Sequence, residues 1–394
     1  IKALELKPLD KEARALLSQV SGLEMEQLSG QSALDNPCSS EAALSDFLLQ
    51  HRQSAGPKFS KYNPICPSAA LNYVHVAIPM HNLDEDILKR AIDSVIEQQD
   101  YPKDKVSVYV YDDASSLPDS EQTLAMLCGG EDQVFDFTVP DSTDESWTHV
   151  YGVLDALGLS SSTPGLTCFR SDKHLGAGGS KYWLLGIINA LARPNDVVLV
   201  LDGDDTLHDD RALQIINQKY IDSAAWFTYG SYEGRWSEQI VDLPPHVRNG
   251  EQAFKPREQT WLYGHPRSFK AHLLGHVAAD DFRYSDGSWL VKGTDRGFLY
   301  RMMELSGPAR IGYIPNKIYK YNYNSKTSTL ESIPAELRNS QIQHTIEVMR
   351  TSELLKTDLH VVLLVWKRTY LLHHQLEWLQ DQTGLEGRCI HLHL

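Results

Sequence analysis

The hydrophobic positions along this chain change their spacing at about residue 73. Before that point, residues 1–50 carry apolar side chains at helical spacing with charged residues between them. Residues 51–70 are rich in Ser, Pro, Lys and Gly, a composition that is typical of a linker. We therefore predict a helical arm and linker over residues 1–70.

From residue 73 onward, short β-branched strands alternate with amphipathic helices. The predicted strands cover residues 74–79, 106–111 and 197–201, and the predicted helices cover residues 88–99 and 180–191. This alternation predicts an α/β fold with a mostly parallel central sheet and helices on both faces. In such sheets ligands bind beyond the carboxyl ends of the strands, so the residues that follow the strands are the first candidates for a site.

The alternation starts again near the carboxyl end of the chain. Residues 359–366 predict a strand, residues 371–382 a helix, and residues 390–394 the start of another strand. These elements are typical of the opening of a second βαβ unit. We therefore predict a main domain over residues 71–330, followed by a helical linker and a truncated second domain over residues 331–394.

Composition and charge narrow the classes of function. The chain has 394 residues, of which 42% are hydrophobic and 23% charged, as in a soluble globular protein. Its formal net charge of -15 repels phosphate backbones, so we expect no nucleic-acid partner. The same acidity suits binding of divalent cations.

Cysteine usage and hydropathy bear on location. The five cysteines form no CxxC pair, so we predict neither a zinc site nor a disulfide framework, but reduced thiols and a cytoplasmic location. The longest apolar runs, such as Val197–Leu201, are far shorter than the roughly 20 residues that cross a bilayer. We therefore predict no membrane span. Because the chain begins with Ile1, we expect it to be a fragment of a longer protein.

The strongest chemical signal is the turn Asp202-Gly203-Asp204-Asp205, which follows an apolar strand. Carboxylates at positions i and i+2 of a tight turn can face one Mg²⁺ or Mn²⁺ ion, and the ion can bridge a diphosphate. The alternative is an acidic turn that caps the next helix. The preceding apolar strand favours the metal site, with Asp202, Asp204 and Asp205 as candidate ligands.

Two further segments adjoin predicted elements, one after a strand and one before a helix. Asp113, in the pair that closes the strand over residues 106–111, can accept the N3–H of a uracil ring, or can cap a turn. Residues 172–180 are rich in glycine and precede a helix, so that Lys173 or Lys181 could meet a phosphate. The alternative for this segment is a flexible loop.

Basic and aromatic residues alternate over residues 261–270. His265, Arg267 and Lys270 could hold a diphosphate, and the aromatic residues could stack on a sugar or a base. The alternative is a solvated basic helix start with the aromatic residues in the core. Further along, Asp295 precedes a predicted helix and is either its N-cap or a general base that deprotonates an attacking hydroxyl.

In their order and spacing, these motifs resemble those of the family 2 glycosyltransferases with a GT-A fold. The resemblance covers about residues 73–328. The segments that carry it are Val74–Asn82, Ala91–Gln99, Tyr111–Ser115, Asp202–Asp205 and Thr294–Asp295. Residues 361–368 resemble the start of another glycosyltransferase domain, so that the natural protein is expected to join several transferases.

The resemblance implies an inverting, metal-dependent glycosyltransferase. It implies transfer of a hexose or pentose from a nucleoside diphosphate sugar, with UDP as the expected carrier, to a hydroxyl of a glycan or glycoconjugate. The cofactor would be Mn²⁺ or Mg²⁺.

The resemblance also implies roles for single residues. Pro79, His81 and Asp113 would hold the base. Asp204, with Asp202 or Asp205, would hold the metal, and Gly203 would permit the turn that they share. Arg267 and Lys270, with His265, would stabilise the leaving diphosphate, and Asp295 would take the proton of the acceptor. Lys181 stands where the family often has arginine, and Thr294 replaces the usual glutamate.

Two other classes of function remain open. A sugar nucleotidyltransferase would carry a basic, glycine-rich loop after its first strand, whereas this chain has Met80–Asp84 there. An inactive carbohydrate-binding or scaffold domain would not need the acidic turn and Asp295 together. The sequence does not indicate the sugar, the acceptor or the oligomeric state.

Overall fold

The computed structural model describes residues 71–322, except residues 141–146, 161, 163, 235, 236, 238, 239, 249–251 and 259. It also describes residues 359–362 and 390–393. The predicted arm and linker over residues 1–70, and the helix predicted over residues 371–382, lie outside the described residues. The domain boundaries therefore stay predictions.

Within the described part of residues 71–322, nine strands form one mixed sheet. The strands are β1 (Val74–Met80), β2 (Val106–Asp112), β3 (Val134–Phe137), β4 (Gly165–Ser171), β5 (Val197–Val200), β6 (Thr206–Leu207), β7 (Phe227–Glu233), β8 (Arg267–Lys270) and β9 (Ile311–Lys320). Their order across the sheet is β3-β4-β2-β1-β5-β8-β7-β9-β6. Five of the eight neighbouring pairs are parallel, which confirms the prediction of a mostly parallel sheet.

Helices cover the sheet. They are α1 (Glu85–Ile96), α2 (Ser120–Cys128), α3 (Thr148–Ala156), α4 (Gly176–Leu191), α5 (Ala212–Ser223), α6 (Pro245–Arg248) and α7 (Thr294–Ser306). The apolar stripe that predicts α1 is the face that the helix buries, including Leu88, Ile92 and Val95.

The core lies on both faces of the sheet because side chains alternate along each strand. In β2, Val108 and Val110 pack in one buried cluster with Leu88 of α1, whereas Tyr109 and Tyr111 pack in another with Trp183 of α4. This arrangement confirms an α/β fold with a central sheet that helices flank on both sides.

The strand directions decide which residues share an edge. β1 runs parallel to β2 and β5, so their carboxyl ends meet at one edge of the sheet. β8 runs antiparallel to β5, and its first residue, Arg267, pairs with Val200 at the end of β5. Its last residue, Lys270, pairs with Val197 at the opposite edge.

The cysteines contradict one prediction. Cys128, at the end of α2, and Cys168, within β4, are joined by a disulfide bond, and their Cα atoms are 6.2 Å apart. The prediction of reduced thiols is wrong for this pair, because the sequence spacing does not indicate that α2 packs on β4. Disulfides are typical of oxidising compartments, so the cysteines no longer support a cytoplasmic location. That location stays a prediction.

Two further observations concern the predicted extent of the fold. In the part of the chain that the structure describes, no helix combines the length and the apolar character that crossing a membrane requires. Near the carboxyl end, β10 (Leu359–Val362) and β11 (Ile390–His393) pair in parallel and belong to a separate compact unit. Strands were predicted at both places.

Candidate functional site

Four separate elements bring a cluster of charged side chains to the carboxyl edge of the sheet. Asp295 lies in the first turn of α7, Lys181 in α4, Arg267 at the start of β8, and Asp202 just after β5. The Lys181 ammonium donates to Asp295 Oδ1 at 2.6 Å, and the Arg267 guanidinium donates to Asp295 Oδ2. Lys181 Nζ also lies 3.4 Å from Asp202 Oδ1.

The charges in this cluster stabilise one another. Burial alone would raise the pKa of Asp295, but the neighbouring Lys181 and Arg267 outweigh burial and hold that pKa well below its usual range. Burial alone would lower the pKa of Lys181, but Asp202 and Asp295 outweigh it and raise that pKa. Asp295 is therefore a carboxylate and Lys181 an ammonium at neutral pH.

His265 lies beside this cluster but is uncharged. Its ring stacks on Tyr319 at 4.5 Å, and the residue is buried. Burial, reinforced by the Arg267 charge, lowers the pKa of His265 to about 3. A neutral, buried imidazole does not neutralise a diphosphate, so the structure gives His265 a packing role beside the cluster in place of the predicted one.

The acidic turn after β5 divides its carboxylates between two environments. Asp202 and Asp204 are partly exposed, whereas Asp205 is buried. Asp205 accepts hydrogen bonds from the Tyr319 hydroxyl at 2.7 Å and from the Asn322 backbone N–H at 2.8 Å. Burial, together with the charges of Asp202 and Asp204, raises the pKa of Asp205 to about 8. The two hydrogen bonds give Asp205 a structural role, and its binding of a metal stays a prediction.

The acids of this turn do not form a complete metal site on their own. Within the described ranges, the three carboxylates of the turn do not bring three ligand atoms within 4.8 Å of one another. Mg²⁺ and Mn²⁺ need only one or two carboxylates where substrate phosphates complete their shell, and Asp202 and Asp204 meet that requirement. Gly203 is needed for the turn, because a Cβ there would lie 2.8 Å from the Pro79 carbonyl oxygen.

A second cluster lies at the junction of β1, β2 and α4. The side chains of His81, Asp113 and His174 bring one ligand atom each within 4.8 Å of one another. His174 Nδ1 lies 2.8 Å from Asp113 Oδ2, and the two imidazole rings stack at 3.9 Å. His81 donates from Nδ1 to the Asp113 carbonyl, and Asn82 contacts its other nitrogen. Hydrogen bonds within the protein thus hold both ring nitrogens of His81, Nδ1 of His174 and both carboxylate oxygens of Asp113.

Asp113 does not face a nucleobase. Its carboxylate is fully buried and accepts the backbone N–H groups of Leu175 at 2.9 Å and Gly176 at 2.7 Å. The prediction that Asp113 reads uracil is corrected, because these hydrogen bonds and its burial leave no access for a ligand. Asp113 instead holds the turn from which α4 begins.

Two predicted phosphate-binding lysines lie elsewhere. Lys270 donates to Asn72 Oδ1 and to the Asn195 carbonyl, each at 2.6 Å, at the opposite edge of the sheet. The prediction for Lys270 is wrong because β8 runs antiparallel to β5. Arg267 therefore lies at the carboxyl edge of the sheet, and Lys270, three residues later, lies at the opposite edge. Lys173 donates to the Val139 carbonyl at 3.1 Å.

The glycines before α4 also have a structural explanation. They form the first turn of the helix, and a Cβ at Gly178 would lie 2.6 Å from the Phe282 carbonyl oxygen. Gly178 therefore permits close packing of residues 282–290 on α4. This segment was predicted to meet a phosphate, but the backbone N–H of Gly176 already donates a hydrogen bond to Asp113.

An open cleft of about 440 Å³ lies next to the Asp112–Asp113 turn. It follows the carboxyl ends of β2, β3 and β4, and Asp136, Arg170 and Asp172 line it. Arg170 is paired there with Glu121 at 2.7 Å. Sequence reasoning missed this cleft, because its lining comes from three strands and the strand over residues 134–137 was not predicted.

Comparisons with known proteins complete the description. No family model matches the sequence, and neither does any curated protein. Among solved structures, TarS residues 1–349 from S. aureus in complex with UDP-GlcNAc is 16% identical, with a TM-score of 0.43 over 72% of this chain and 68% of that one.

The mannosyltransferase PcManGT from Pyrobaculum calidifontis, in complex with GDP-Man and Mn²⁺, is 14% identical, with a TM-score of 0.42 over 79% of this chain and 73% of that one. At these identities and TM-scores, similarity to these structures does not indicate the function of this chain.

Proposed function

We propose that this chain is a glycosyltransferase that moves a sugar from a nucleoside diphosphate sugar to a hydroxyl of a glycan or glycoconjugate. The observation that carries the proposal is the cluster of Asp295, Lys181, Arg267 and Asp202 at the carboxyl edge of the sheet. In this cluster a candidate base, two cations and a candidate metal ligand lie together, and each of these groups assists sugar transfer from a diphosphate.

Asp295 is the proposed general base. The acceptor oxygen attacks the anomeric carbon, the bond from that carbon to the diphosphate oxygen breaks, and the hydroxyl proton passes to Asp295. The nucleoside diphosphate leaves with the bonding electron pair. A single displacement of this kind inverts the configuration at the anomeric carbon. The Asp295 side chain is 26% exposed, which leaves room for an acceptor hydroxyl beside its two cations.

Lys181 and Arg267 have a second proposed role. With no donor bound, they hold Asp295 ionised and make it a weak base. A bound diphosphate competes with Asp295 for these two cations, because its charge is larger than that of one carboxylate. The proton affinity of Asp295 then rises, so that donor binding prepares the base.

Asp202 and Asp204 are the proposed holders of Mn²⁺ or Mg²⁺. When bound, the ion supplies positive charge that stabilises the leaving diphosphate. The chain's own share of this task falls to Arg267 and Lys181, whose N–H donors point at the same edge. Because these groups are fixed by Asp295 and Asp202 before a ligand arrives, little reorganisation is needed during the reaction.

The nucleobase is assigned to the cleft beside the Asp112–Asp113 turn. The carboxylates of Asp136 and Asp172 in its lining are acceptors of the type that would recognise the N3–H of uracil. Pro79 and His81 lie on the other side of the same turn, at the end of β1. UDP is therefore the carrier that we propose.

A donor screen tests the proposal. Purified protein is incubated with Mn²⁺ or Mg²⁺ and a panel of UDP-, GDP- and dTDP-linked hexoses and pentoses, and release of nucleoside diphosphate is measured by chromatography. We expect metal-dependent release from one UDP-sugar, and loss of that release in Asp204→Ala. Absence of release together with absence of nucleotide binding by calorimetry would contradict the proposed function.

A further inference from the structure

A tryptophan beside the cluster carries two arginines. The guanidinium carbon of Arg267 lies 5.4 Å from the centre of the Trp261 ring, and that of Arg296 lies 5.2 Å from it. Both distances fall within the range of cation–π attraction. Arg296 directly follows Asp295 in the first turn of α7. Trp261 therefore holds a second guanidinium next to the proposed base.

The two arginines differ in their charge partners. Arg267 is paired with Asp295, and Lys181 is paired with Asp295 and Asp202. The guanidinium of Arg296 has no ion pair or hydrogen bond among the described residues, although it is half-buried. Other arginines in α7 and near it are paired, as Arg301 is with Asp281 and Arg257 with Glu304.

An unpaired, half-buried guanidinium points to an anionic ligand. Arginine offers five N–H donors in a planar fork that matches carboxylate and phosphate oxygens. The chain as a whole carries a net charge of -15 and would repel an anion elsewhere. At Arg296, contact with the Trp261 ring fixes the guanidinium without using its donors.

A series of contacts connects the proposed donor site to Arg296. It runs from Asp202 to Lys181, then to Asp295, Arg267, Trp261 and Arg296. The proposed metal and diphosphate lie at the Asp202 end of that series. Arg296 lies at the other end of this series, and it directly follows the proposed base Asp295 in the first turn of α7.

We propose that Arg296 binds a carboxylate or phosphate group of the acceptor and thereby selects acceptors that carry negative charge near the attacked hydroxyl. This inference rests on the proposed function, because the acceptor is defined by that reaction. A loss of one charge-assisted contact of this kind changes affinity by about 10-fold or more.

The test compares the wild type with Arg296→Gln. The matched control is Arg310→Gln, because Arg310 stacks on Trp226 at 4.4 Å at the start of β7 and β9, on the opposite edge of the sheet. Binding of methyl glucuronide, methyl glucoside 6-phosphate and uncharged methyl glucoside is measured by NMR titration without donor. The first two probes distinguish a carboxylate from a phosphate. Thermal unfolding confirms that each variant folds.

We expect the wild type and Arg310→Gln to bind one charged probe about 10-fold more tightly than methyl glucoside, and Arg296→Gln to lose that preference. The proposal is overturned if the charged probes bind the wild type no better than methyl glucoside, including no binding at millimolar concentration. It is also overturned if Arg296→Gln keeps the preference.

Donor hydrolysis separates this inference from the proposed function. Release of nucleoside diphosphate to water should be unchanged in the control Arg310→Gln, and a loss confined to Arg296→Gln would assign Arg296 to the diphosphate instead. If the wild type releases no nucleoside diphosphate and binds no nucleotide, the proposed function fails, whereas the probe titrations still decide whether Arg296 recognises an anion.

Discussion

Two acidic turns lie at the carboxyl ends of β2 and β5, which flank β1 in the sheet, and they have opposite environments. Asp112 ends β2 and Asp113 follows it, and both are fully buried. Their oxygens accept hydrogen bonds from Ser115 and from the turn before α4. Asp202 after β5 instead keeps an exposed fraction of 29% and faces the Lys181 ammonium. Similar runs of sequence thus give a buried structural turn in one place and a partly exposed, charged edge in the other.

The difference comes from what packs over each turn. The β2 turn is covered by the start of α4, whose free N–H groups require acceptors, and Asp113 supplies them. The β5 turn instead faces the Lys181 ammonium from the body of α4, which also pairs with Asp295 of α7. An acidic pair after a strand therefore indicates chemistry only where the covering element leaves the carboxylates open.

The largest expected effect is at Asp295, and its absence would contradict a catalytic role for the edge after β5. Asp295→Asn keeps the shape of the side chain but removes the base, so we expect kcat to fall about 100- to 10,000-fold. The control is Asp242→Asn, which removes an ion pair with Arg248 that does not belong to the cluster. Activity of Asp295→Asn close to that of Asp242→Asn would exclude Asp295 as the base.

Substitution of Asp113 should lower the stability of the fold, whereas substitution of Asp295 should lower the reaction rate. Asp113→Asn replaces one accepting oxygen with an NH₂ group that opposes a backbone N–H, so we expect the free energy of unfolding to fall by about 2–4 kcal/mol. Urea unfolding measures the change. Asp119→Asn, an exposed residue with a left-handed backbone that asparagine tolerates, is the control. Equal stability of the two variants would contradict a structural role for Asp113.

Asp205 is expected to make the stability of the protein depend on pH. Its pKa of about 8 lies above the ordinary carboxyl value of 3.8, so folding favours its neutral form. The stability that it contributes is full below about pH 4 and is lost as the pH rises through about 8. Asp205→Asn, which is neutral at every pH, should therefore gain stability relative to the wild type between about pH 5 and pH 8, as measured by urea unfolding.

An opposite trend would contradict this assignment. If the wild type gained stability over Asp205→Asn as the pH rose across that range, Asp205 would be ionised and stabilised in the fold. That result would favour the predicted role of Asp205 as a ligand beside Asp202 and Asp204.

Much of the fold could be predicted because its signals are local. Strand β1 and helix α1 follow from the spacing of apolar residues, and their buried faces are the predicted ones. Asp202, Asp204 and Asp295 could be chosen because acidic residues after an apolar strand or before a helix are visible in the sequence. Strand β3 and the cleft beside it were missed, because β3 is short and only half-buried.

The sequence by itself determined the alternation of strands and helices, and with it an edge at which ligands could bind. Only the tertiary structure decided which polar residues reach that edge. Strand direction sends Lys270 to the far side while keeping Arg267, and the packing of α4 buries Asp113 while presenting Lys181. The physical reason is that spacing along the chain decides local structure, whereas access and charge pairing depend on which elements meet in space.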